Sequence, residues 1–361
     1  MSFQIDGREI GSDNSVFIIA ELSANHMNDY EIAVETIKAM ADAGADAVKF
    51  QTYTPDTITI DCDNEYFQIK QGTIWDGQVL YDLYDDAYMP WEWQEDLMKL
   101  ANDLGLIAFS SPFDKTSVDF LEDIDVPAYK IASFEITDIP LIKYVASKGK
   151  PIIISTGIAD KEDIELAIET CKNAGNDQIA ILKCTSSYPA PLEEINLNTI
   201  PALIDEFNVE VGLSDHTMGS EVAIASVSLG AGIIEKHFIL DRNMGGPDGA
   251  FSMEPQEFKK MVEGIRNVEK ALGKVTFKLS EKAKLNKEFS RSLFAVEDIK
   301  KGEIVTNDNV RSIRPGFGLH PKYLKDIIGK KVKQDIKRGT PFDLDYIKWG
   351  YSTHINSRIT L

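Results

Sequence analysis

Eight short apolar runs alternate with amphipathic stretches through most of the chain. Residues rich in Val, Ile, Ala and Phe form these runs at SVFIIAELS (15–23), DAVKFQ (46–51), LIAFSS (106–111), AYKIAS (128–133), PIIIST (151–156), IAILKC (179–184), VEVGLSD (209–215) and AGIIEKHF (231–238). Nearly continuous apolar strands are typical of a parallel sheet that is buried on both faces. The stretches between them, such as EIAVETIKAMADAGA, repeat apolar residues at helical spacing. Eight strands, each followed by a helix, predict an α/β fold of the (β/α)8 TIM-barrel type.

The main alternative fold is an open, doubly wound α/β sheet. Such a sheet usually carries a glycine-rich phosphate-binding loop after an early strand, and this sequence has no such loop. The TIM barrel is therefore the preferred interpretation, and it places the chemistry at the C-terminal ends of the strands.

Domain boundaries follow from the point at which the alternation stops. We predict a catalytic barrel over residues 1–272, a charged linker without a clear apolar face over 273–288, a small domain over 289–349 and a tail over 350–361. One barrel loop, residues 52–90, is unusually long and rich in acidic and aromatic residues. Loops of that length usually have a function, such as that of a lid.

Composition restricts the classes of partner. The formal net charge is -20, which argues against a nucleic-acid-binding protein because phosphates require basic surface. Residues 289–349 are an exception, with 13 Lys and Arg against 8 Asp and Glu. No run of eighteen apolar residues and no signal-peptide pattern occurs, and three cysteines do not form a disulfide framework. We therefore expect a cytoplasmic protein with small-molecule substrates, no nucleic acid and no membrane.

Polar side chains occur at the end of nearly every predicted strand. They include lysines, serines and carboxylates, at Glu21, Lys49, Gln51, Ser111, Lys130, Ser133, Glu135, Ser155, Ser186, Ser214 and Glu235. Alternation along a strand sends half of such residues inward. Lysines beside serines supply both charge and hydrogen-bond donors, so they predict a phosphate or carboxylate site.

Two histidines end neighbouring strands. His216 and His237 are 21 residues apart, an interval of one strand–helix unit, so both rings belong at the same end of the barrel. Their position alone fits a divalent metal site and fits two packed core histidines equally well. His26, His320 and His354 carry less functional weight.

Ordered motifs along the chain resemble those of a known family. AELSANH, VKFQTY, FSSPFD, AYKIASFE, LKCTSSYP, VGLSDHT, IIEKHF and GGPDGAFS resemble the nonulosonic (sialic) acid synthases, and SRSLFAVEDIKKGE…RSIRPGFG resembles their C-terminal antifreeze-like (SAF) domain. The segments GTIWDGQVLYDLYDDAYMPWEW and RPGFGLHP are more similar to the branch that makes pseudaminic acid than to the neuraminic or legionaminic branches. That product is used in flagellin glycosylation.

The resemblance implies a reaction and a homodimer. Phosphoenolpyruvate condenses with 2,4-diacetamido-2,4,6-trideoxy-β-L-altropyranose, water enters, and phosphate leaves by C–O cleavage. The metal is expected to be Mn²⁺, with Mg²⁺ or Co²⁺ as alternatives. In this family an arginine of the SAF domain is inserted into the partner's barrel, which implies a domain-swapped homodimer.

The resemblance also implies roles for individual residues. It implies that His216 and His237 are metal ligands and that Glu21, Lys49 and Lys130 are catalytic residues. The implied contacts of phosphoenolpyruvate are Lys49, Ser111, Lys130, Ser133, Ser155, Ser186 and Ser214. The implied contacts of the sugar are Gln51, Glu135, Tyr188, Asp248 and Arg314. Ser111 and Ser186 depart from the neuraminic pattern, which has Thr and Asn there. Because the serine side chain is shorter than asparagine, the contact of Ser186 is the least secure.

Two other functions remain as alternatives. A Schiff-base pyruvate aldolase would use Lys130 or Lys183 as nucleophile, with a depressed pKa. A non-catalytic binding protein would use the small domain for recognition, although that domain is charged rather than flat and apolar.

Overall fold

Eight parallel strands close into a barrel in this computed structural model, which describes residues 3–11, 14–70 and 72–348. A short antiparallel hairpin precedes them, and the last barrel strand pairs with the first. The strands are β1 (Phe3–Ile5), β2 (Arg8–Ile10), β3 (Phe17–Glu21), β4 (Ala47–Thr52), β5 (Ile107–Pro112), β6 (Tyr129–Ile131), β7 (Ile152–Ser155), β8 (Ile179–Cys184), β9 (Glu210–Asp215) and β10 (Ile233–His237). The predicted (β/α)8 barrel is confirmed, and each barrel strand overlaps one predicted run.

Helices follow every barrel strand in the part of the chain that the structure describes. They are α1 (Tyr30–Asp42), α2 (Pro55–Ile58), α3 (Leu80–Ala87), α4 (Trp91–Asp103), α5 (Lys115–Asp123), α6 (Ile139–Ala146), α7 (Lys161–Asn173), α8 (Thr199–Phe207), α9 (Glu221–Ser228) and α10 (Pro255–Leu272). The short α2 and α3 lie inside the long loop of residues 52–90. Among the described helices, none is long and apolar enough to cross a membrane.

Aspartates cap the N-termini of several helices that follow the barrel strands. The side chain of Asp29 accepts hydrogen bonds from backbone N–H groups at the start of α1, and Asp114 and Asp160 do the same for α5 and α7. A carboxylate at this position satisfies unpaired backbone donors and interacts favourably with the helix dipole. The turns that follow the strands are thereby held in one conformation.

The N-terminal hairpin closes the bottom of the barrel. Phe3, Ile5 and Ile10 pack with inward-facing strand residues such as Phe17 and Phe109 in one apolar cluster. The turn of the hairpin is Asp6-Gly7, and both residues have positive φ, as the tight turns of two-residue hairpins require. The sequence analysis did not predict this hairpin, although an Asp-Gly pair between two short stretches with alternating apolar residues is a recognised signal.

The second compact unit begins after Gly273 and has its own core. It contains α11 (Glu281–Asn286), β11 (Ser292–Ala295), β12 (Val310–Ile313) and α12 (Leu324–Ile327). Helix α11 lies within the stretch that the sequence predicts as a linker. The predicted tail at 350–361, which contains His354, lies outside the described residues.

The N-terminal hairpin and the inward-facing residues of the apolar cluster form what we call the apolar plug. Shortening one of its side chains is expected to destabilise the barrel. Ile5→Ala deletes a fully buried side chain, and such changes cost about 2–5 kcal/mol of unfolding free energy. Gln4→Ala on the same strand removes an exposed side chain and should change stability by less than about 0.5 kcal/mol. Urea unfolding monitored by circular dichroism measures both variants. Equal stability of the two variants would contradict the role of the hairpin.

Candidate active site

Strand periodicity decides which side chains enter the barrel. In β3, Phe17 lies in the inner apolar cluster, and Glu21 lies four residues later on the same face. In β10, Ile233 lies in that cluster, and Glu235 and His237 continue its face. The inward-facing side chains therefore change from apolar to polar towards the C-terminal strand ends. The other strands contribute Lys49, Gln51, Ser111, Lys130, Ser155 and Ser214 by the same alternation.

Four charged side chains form a buried network at this end of the barrel. Nζ of Lys49 lies 2.5 Å from Oε2 of Glu21 and 3.6 Å from Oε1 of Glu235. Nζ of Lys130 donates to both carboxylate oxygens of Glu235, at 2.8 Å each. All four side chains are at most 4% exposed. Removing charges from water costs more than such pairs usually return, so this network is better explained by function than by stability.

The two carboxylates of the network differ in acidity. Burial raises the pKa of Glu21 to about 7, against the opposing effect of Lys49 and with the help of the negative charge of Glu235. Burial alone would also raise the pKa of Glu235, but Lys130 and Lys49 lower it to about 2. Glu235 is therefore a permanent anion, whereas Glu21 exchanges its proton near neutral pH.

Two hydroxyl groups contact the charged network, and a third lies buried at the end of β7. Ser111 accepts a hydrogen bond from Nζ of Lys49 at 3.3 Å, and Ser214 donates to Oε1 of Glu235 at 3.3 Å. Oγ of Ser155 is buried without a hydrogen-bond partner. A buried hydroxyl without a partner is costly, so this group is free to bind a substrate oxygen.

A second hydroxyl pair lies nearby. Ser186 donates to Oγ of Ser133 at 2.9 Å, and Ser133 accepts from the backbone N–H of Gly157 at 2.7 Å. A Cβ on Gly157 would lie 2.1 Å from Oγ of Ser186 and 2.4 Å from Oγ of Ser133. Glycine at this position therefore keeps both hydroxyls in place.

The two histidines approach each other closely. The ring centroids of His216 and His237 are 5.3 Å apart. Nδ1 of His216 lies 3.2 Å from the carbonyl oxygen of Thr185, which favours a proton on Nδ1 and leaves the lone pair on Nε2. Nδ1 of His237 is buried without a hydrogen-bond partner and lies 3.7 Å from Oδ2 of Asp248.

These donors fit a divalent cation whose shell is completed by other ligands. Within residues 3–11, 14–70 and 72–348, no three His, Cys, Asp or Glu side chains are grouped so as to hold a metal by themselves. Two imidazoles leave coordination positions for water and substrate oxygens, as catalytic metals require.

Residues that the resemblance relates to the sugar lie around the same opening. Gln51 donates to Oε1 of Glu21 at 3.0 Å, and Asp248 accepts from the hydroxyl of Ser23. Oε2 of Glu135 is buried without a partner, and burial raises the pKa of this carboxyl to about 7. The ring of Tyr188 lies 4.4 Å from that of His216. The structure thus places these side chains beside the charged network and the histidines.

Two residues that the sequence analysis named, Lys183 and Arg314, do not belong to this group of side chains. Lys183 alternates with the inward-facing Leu182, and its Nζ donates to the carbonyl oxygen of Cys184 and to Oγ1 of Thr185, both at 2.9 Å. This position weakens the case for Lys183 as a Schiff-base nucleophile. Arg314 belongs to the second unit, where it is exposed.

Sequence reasoning left several site residues without a role. Period-two alternation places Glu235 on the same face as His237, but the sequence assigned Glu235 no role in the site. Cys184 lies 3.8 Å from Nδ1 of His216; burial alone would raise its pKa, but the neighbouring histidine lowers it to about 7. Lys236 and Asp215, whose charged atoms are 2.7 Å apart, form a buried pair on the outer face, and no pattern in the sequence identified it.

Comparisons with known proteins relate both units of the chain to known families. A model of the NeuB family matches residues 36–277, and a model of the SAF domain matches residues 290–347. A pseudaminic acid synthase from Campylobacter jejuni is 49% identical over 328 residues, which cover 91% of this chain and 95% of the relative. A pseudaminic acid synthase from Helicobacter pylori is 46% identical over 332 residues, with coverage of 92% and 97%.

A solved structure supports the same assignment. The crystal structure of a spore coat polysaccharide biosynthesis protein from Bacillus subtilis superposes with a TM-score of 0.66 at 35% identity, covering 97% of this chain and 100% of the other. The resemblance to nonulosonic acid synthases is thus confirmed. The chain belongs to the NeuB family, and its C-terminal unit carries a SAF domain.

Proposed function

We propose that the chain is a transferase that condenses phosphoenolpyruvate with 2,4-diacetamido-2,4,6-trideoxy-β-L-altropyranose and water, and that it releases pseudaminic acid and phosphate. The observation that carries this proposal is the pair of buried lysines beside the two histidines at one end of the barrel. The choice of sugar rests on the relatives named pseudaminic acid synthase.

Phosphoenolpyruvate binds among the lysines and hydroxyls in this proposal. Its phosphate and carboxylate take Lys49 and Lys130 as cationic partners, and the hydroxyls around them donate hydrogen bonds: Ser111, Ser133, Ser155, Ser186 and Ser214. In the absence of substrate, Glu21 and Glu235 neutralise the same ammonium groups. The lysines are therefore already placed and desolvated before the anion arrives, which reduces the cost of ordering them.

The sugar takes the other side of the opening. Gln51, Glu135, Tyr188 and Asp248 are the proposed contacts within the barrel. We propose that Arg314 comes from the partner subunit of a domain-swapped homodimer, as the family resemblance implies. Because the reaction consumes phosphoenolpyruvate, a product of central metabolism, we place the enzyme in the cytoplasm.

The condensation forms one C–C bond and breaks one C–O bond. Carbon C3 of phosphoenolpyruvate attacks the aldehyde carbon C1 of the open-chain sugar, and the aldehyde oxygen takes up a proton. The electron-poor C2 then adds water, which gives up a proton. The hydroxyl group now on C2 finally loses its proton as the bond between C2 and the bridging oxygen breaks, so C2 becomes a ketone and phosphate leaves with that oxygen and with one proton.

Glu21 is the proposed acid–base group for these proton transfers. Its carboxylate lies between Lys49 and Gln51, and a pKa of about 7 allows it both to accept and to donate a proton near neutral pH. Lys49, 2.5 Å away, orients the carboxylate while it contacts the substrate anion.

His216 and His237 are the proposed ligands of a divalent cation, Mn²⁺ in the first place and Mg²⁺ or Co²⁺ as alternatives. Bound there, a divalent cation supplies Lewis-acid polarisation of the sugar aldehyde. The carbonyl group of Thr185 orients the ring of His216, and Asp248 lies beside His237.

The first test measures phosphate release. Release is expected only when phosphoenolpyruvate, the altrose-type sugar and a divalent ion are all present, and EDTA should abolish it. His216→Ala and His237→Ala should each lower turnover by about 10²-fold or more, because the polarising group is no longer held. His320→Ala, which removes a histidine of the second unit, is the matched control. Full turnover by either barrel variant, or in EDTA, would contradict the proposed metal site.

The second test uses the acidity of Glu21. Because the reactive form is the carboxylate and its pKa is about 7, turnover should rise as the pH increases through that value. Glu21→Gln should remove this limb of the profile and lower kcat by about 10²–10⁴-fold. Glu35→Gln, at an exposed glutamate of α1, should leave the profile unchanged. An unaltered rising limb in the Glu21→Gln enzyme would assign the limb to another group.

The third test separates stability from binding at Lys130. Lys130→Met removes the nearer of the two lysines that pair with the buried Glu235 and leaves Lys49 at 3.6 Å, which should cost about 3–5 kcal/mol of unfolding free energy. Lys130→Met combined with Glu235→Gln should recover most of that stability. Both enzymes should show a rise in the KM for phosphoenolpyruvate of about tenfold or more.

An exposed pair provides the control for this test. Lys38 pairs with Glu35 at 2.7 Å, and both side chains are about half exposed, so Lys38→Met should cost less than about 1 kcal/mol. Denaturation and steady-state kinetics measure the three variants. A double variant that is stable and keeps the wild-type KM would refute the assignment of Lys130 to phosphoenolpyruvate. Borohydride treatment with pyruvate should leave Lys130 unmodified, because the proposed reaction has no Schiff base.

A further inference from the structure

The long loop of residues 52–90 forms a hairpin in its described residues near Trp75. We call this hairpin the flap; its described residues are 67–70 and 72–80. Gln68 and Val79 pair as an antiparallel bridge, and the backbone N–H of Ile69 donates to the carbonyl oxygen of Gln78 at 3.0 Å. The side chain of Ile69 is buried, at 7% exposure. At the tip, the Asp76 side chain accepts from the backbone N–H groups of residues 72 and 73 at 2.9 and 2.8 Å.

Trp75 lies at this tip and makes two contacts with the active site. Its indole Nε1 donates to the carbonyl oxygen of Pro247 at 3.0 Å, and its ring centroid lies 5.5 Å from that of Tyr188. Pro247 directly precedes Asp248, which lies beside His237. The flap is therefore joined to two loops that carry proposed sugar contacts.

Aromatic rings connect Trp75 with the histidines. Tyr188 lies 4.4 Å from His216 and 5.2 Å from Phe251, measured between ring centroids. Phe251 in turn lies 4.9 Å from His237. We call Trp75, Tyr188 and Phe251 the aromatic wall; it begins at the imidazoles and reaches its outer end at Trp75.

We infer that Trp75 determines sugar specificity by packing against the apolar end of the substrate. The inference rests on the proposed function, in which the aldehyde carbon C1 reacts beside His216 and His237. Two ring-to-ring steps separate His216 from Trp75, so the carbons farthest from C1 are the ones that reach the indole. In the proposed sugar these carbons carry the acetamido methyl group at C4 and the methyl group at C6.

Apolar contacts of this kind give selectivity through the methyl groups. Replacing an acetamido group at C4 and a hydrogen at C6 by hydroxyl groups puts polar groups against an indole face. An indole face offers such a hydroxyl group no hydrogen-bond partner, so the group stays hydrated. The retained water then keeps the sugar away from the aromatic rings. The energy of one methyl-sized contact in a pocket corresponds to about a 10- to 200-fold difference in kcat/KM.

The test compares Trp75→Ala, Trp75→Phe and the control Tyr66→Ala, in which a side chain that is 82% exposed is removed from the same loop. Each enzyme is assayed with the diacetamido-trideoxy sugar and with the 2-acetamido sugar of the same configuration that has hydroxyl groups at C4 and C6. Trp75→Ala should reduce the preference for the first sugar about tenfold, through its sugar KM, and should leave the KM for phosphoenolpyruvate unchanged. Trp75→Phe keeps an aromatic face and should keep most of the preference, and Tyr66→Ala should keep all of it.

The outcomes distinguish this inference from the proposed function. Wild-type turnover of a glucose- or mannose-configured acetamido sugar in place of the altrose-type sugar would refute the proposed function. An unchanged sugar preference in Trp75→Ala, or an equal change in the KM values of the sugar and of phosphoenolpyruvate, would refute the role of Trp75. Loss of the preference in Trp75→Phe as severe as in Trp75→Ala would also refute it, because the aromatic face would then not be the determinant.

Discussion

The buried network of Glu21, Lys49, Glu235 and Lys130 is the interaction on which the rest of the site depends. A parallel barrel sends alternate side chains of each strand into a narrow interior, where water is scarce and each charge needs an opposite charge. Two ammonium groups and two carboxylates satisfy one another there. The apolar plug below, formed with the N-terminal hairpin, supplies the rigid base under these strand ends.

The network also divides the opening into two parts with different chemistry. In the proposed function, the lysines and serines bind the anionic groups of phosphoenolpyruvate, and the histidines hold a divalent cation. Glu21 contacts both Lys49 and Gln51. Its elevated pKa has the same cause as the network itself, because burial removes the hydration of the carboxylate. In this account, an arrangement that contributes little to stability is retained for its reactivity.

Much of the barrel could be predicted from the sequence because its signals are local. The apolar runs mark the eight strands, and period-two alternation places residues such as Glu235 and His237 on one face. The pairing of Lys130 with Glu235 could not be predicted, since it joins residues 105 positions apart and partner choice depends on how the barrel closes. The same limit applies to Trp75, whose partner Pro247 is 172 positions away.

Other differences between the sequence-based prediction and the structure have local causes. The N-terminal hairpin has a local cause in the Asp6-Gly7 turn, whose two residues both have positive φ. Helix α11 forms in a stretch whose charged composition indicates a linker, because a serine cap and the pair of Glu281 with Lys284 support one short helix. The expected reach of Arg314 into a partner's barrel depends on a second chain, so it stays a prediction.

The central claim is that the strand ends hold phosphoenolpyruvate by its anionic groups and direct water to carbon C2. The most direct measurement uses phosphoenolpyruvate labelled with ¹⁸O at the bridging oxygen, and mass spectrometry of both products. The account predicts that the label leaves with phosphate, because the bond between C2 and that oxygen breaks. Label retained in the sugar acid would mean that the P–O bond breaks, and it would contradict the account.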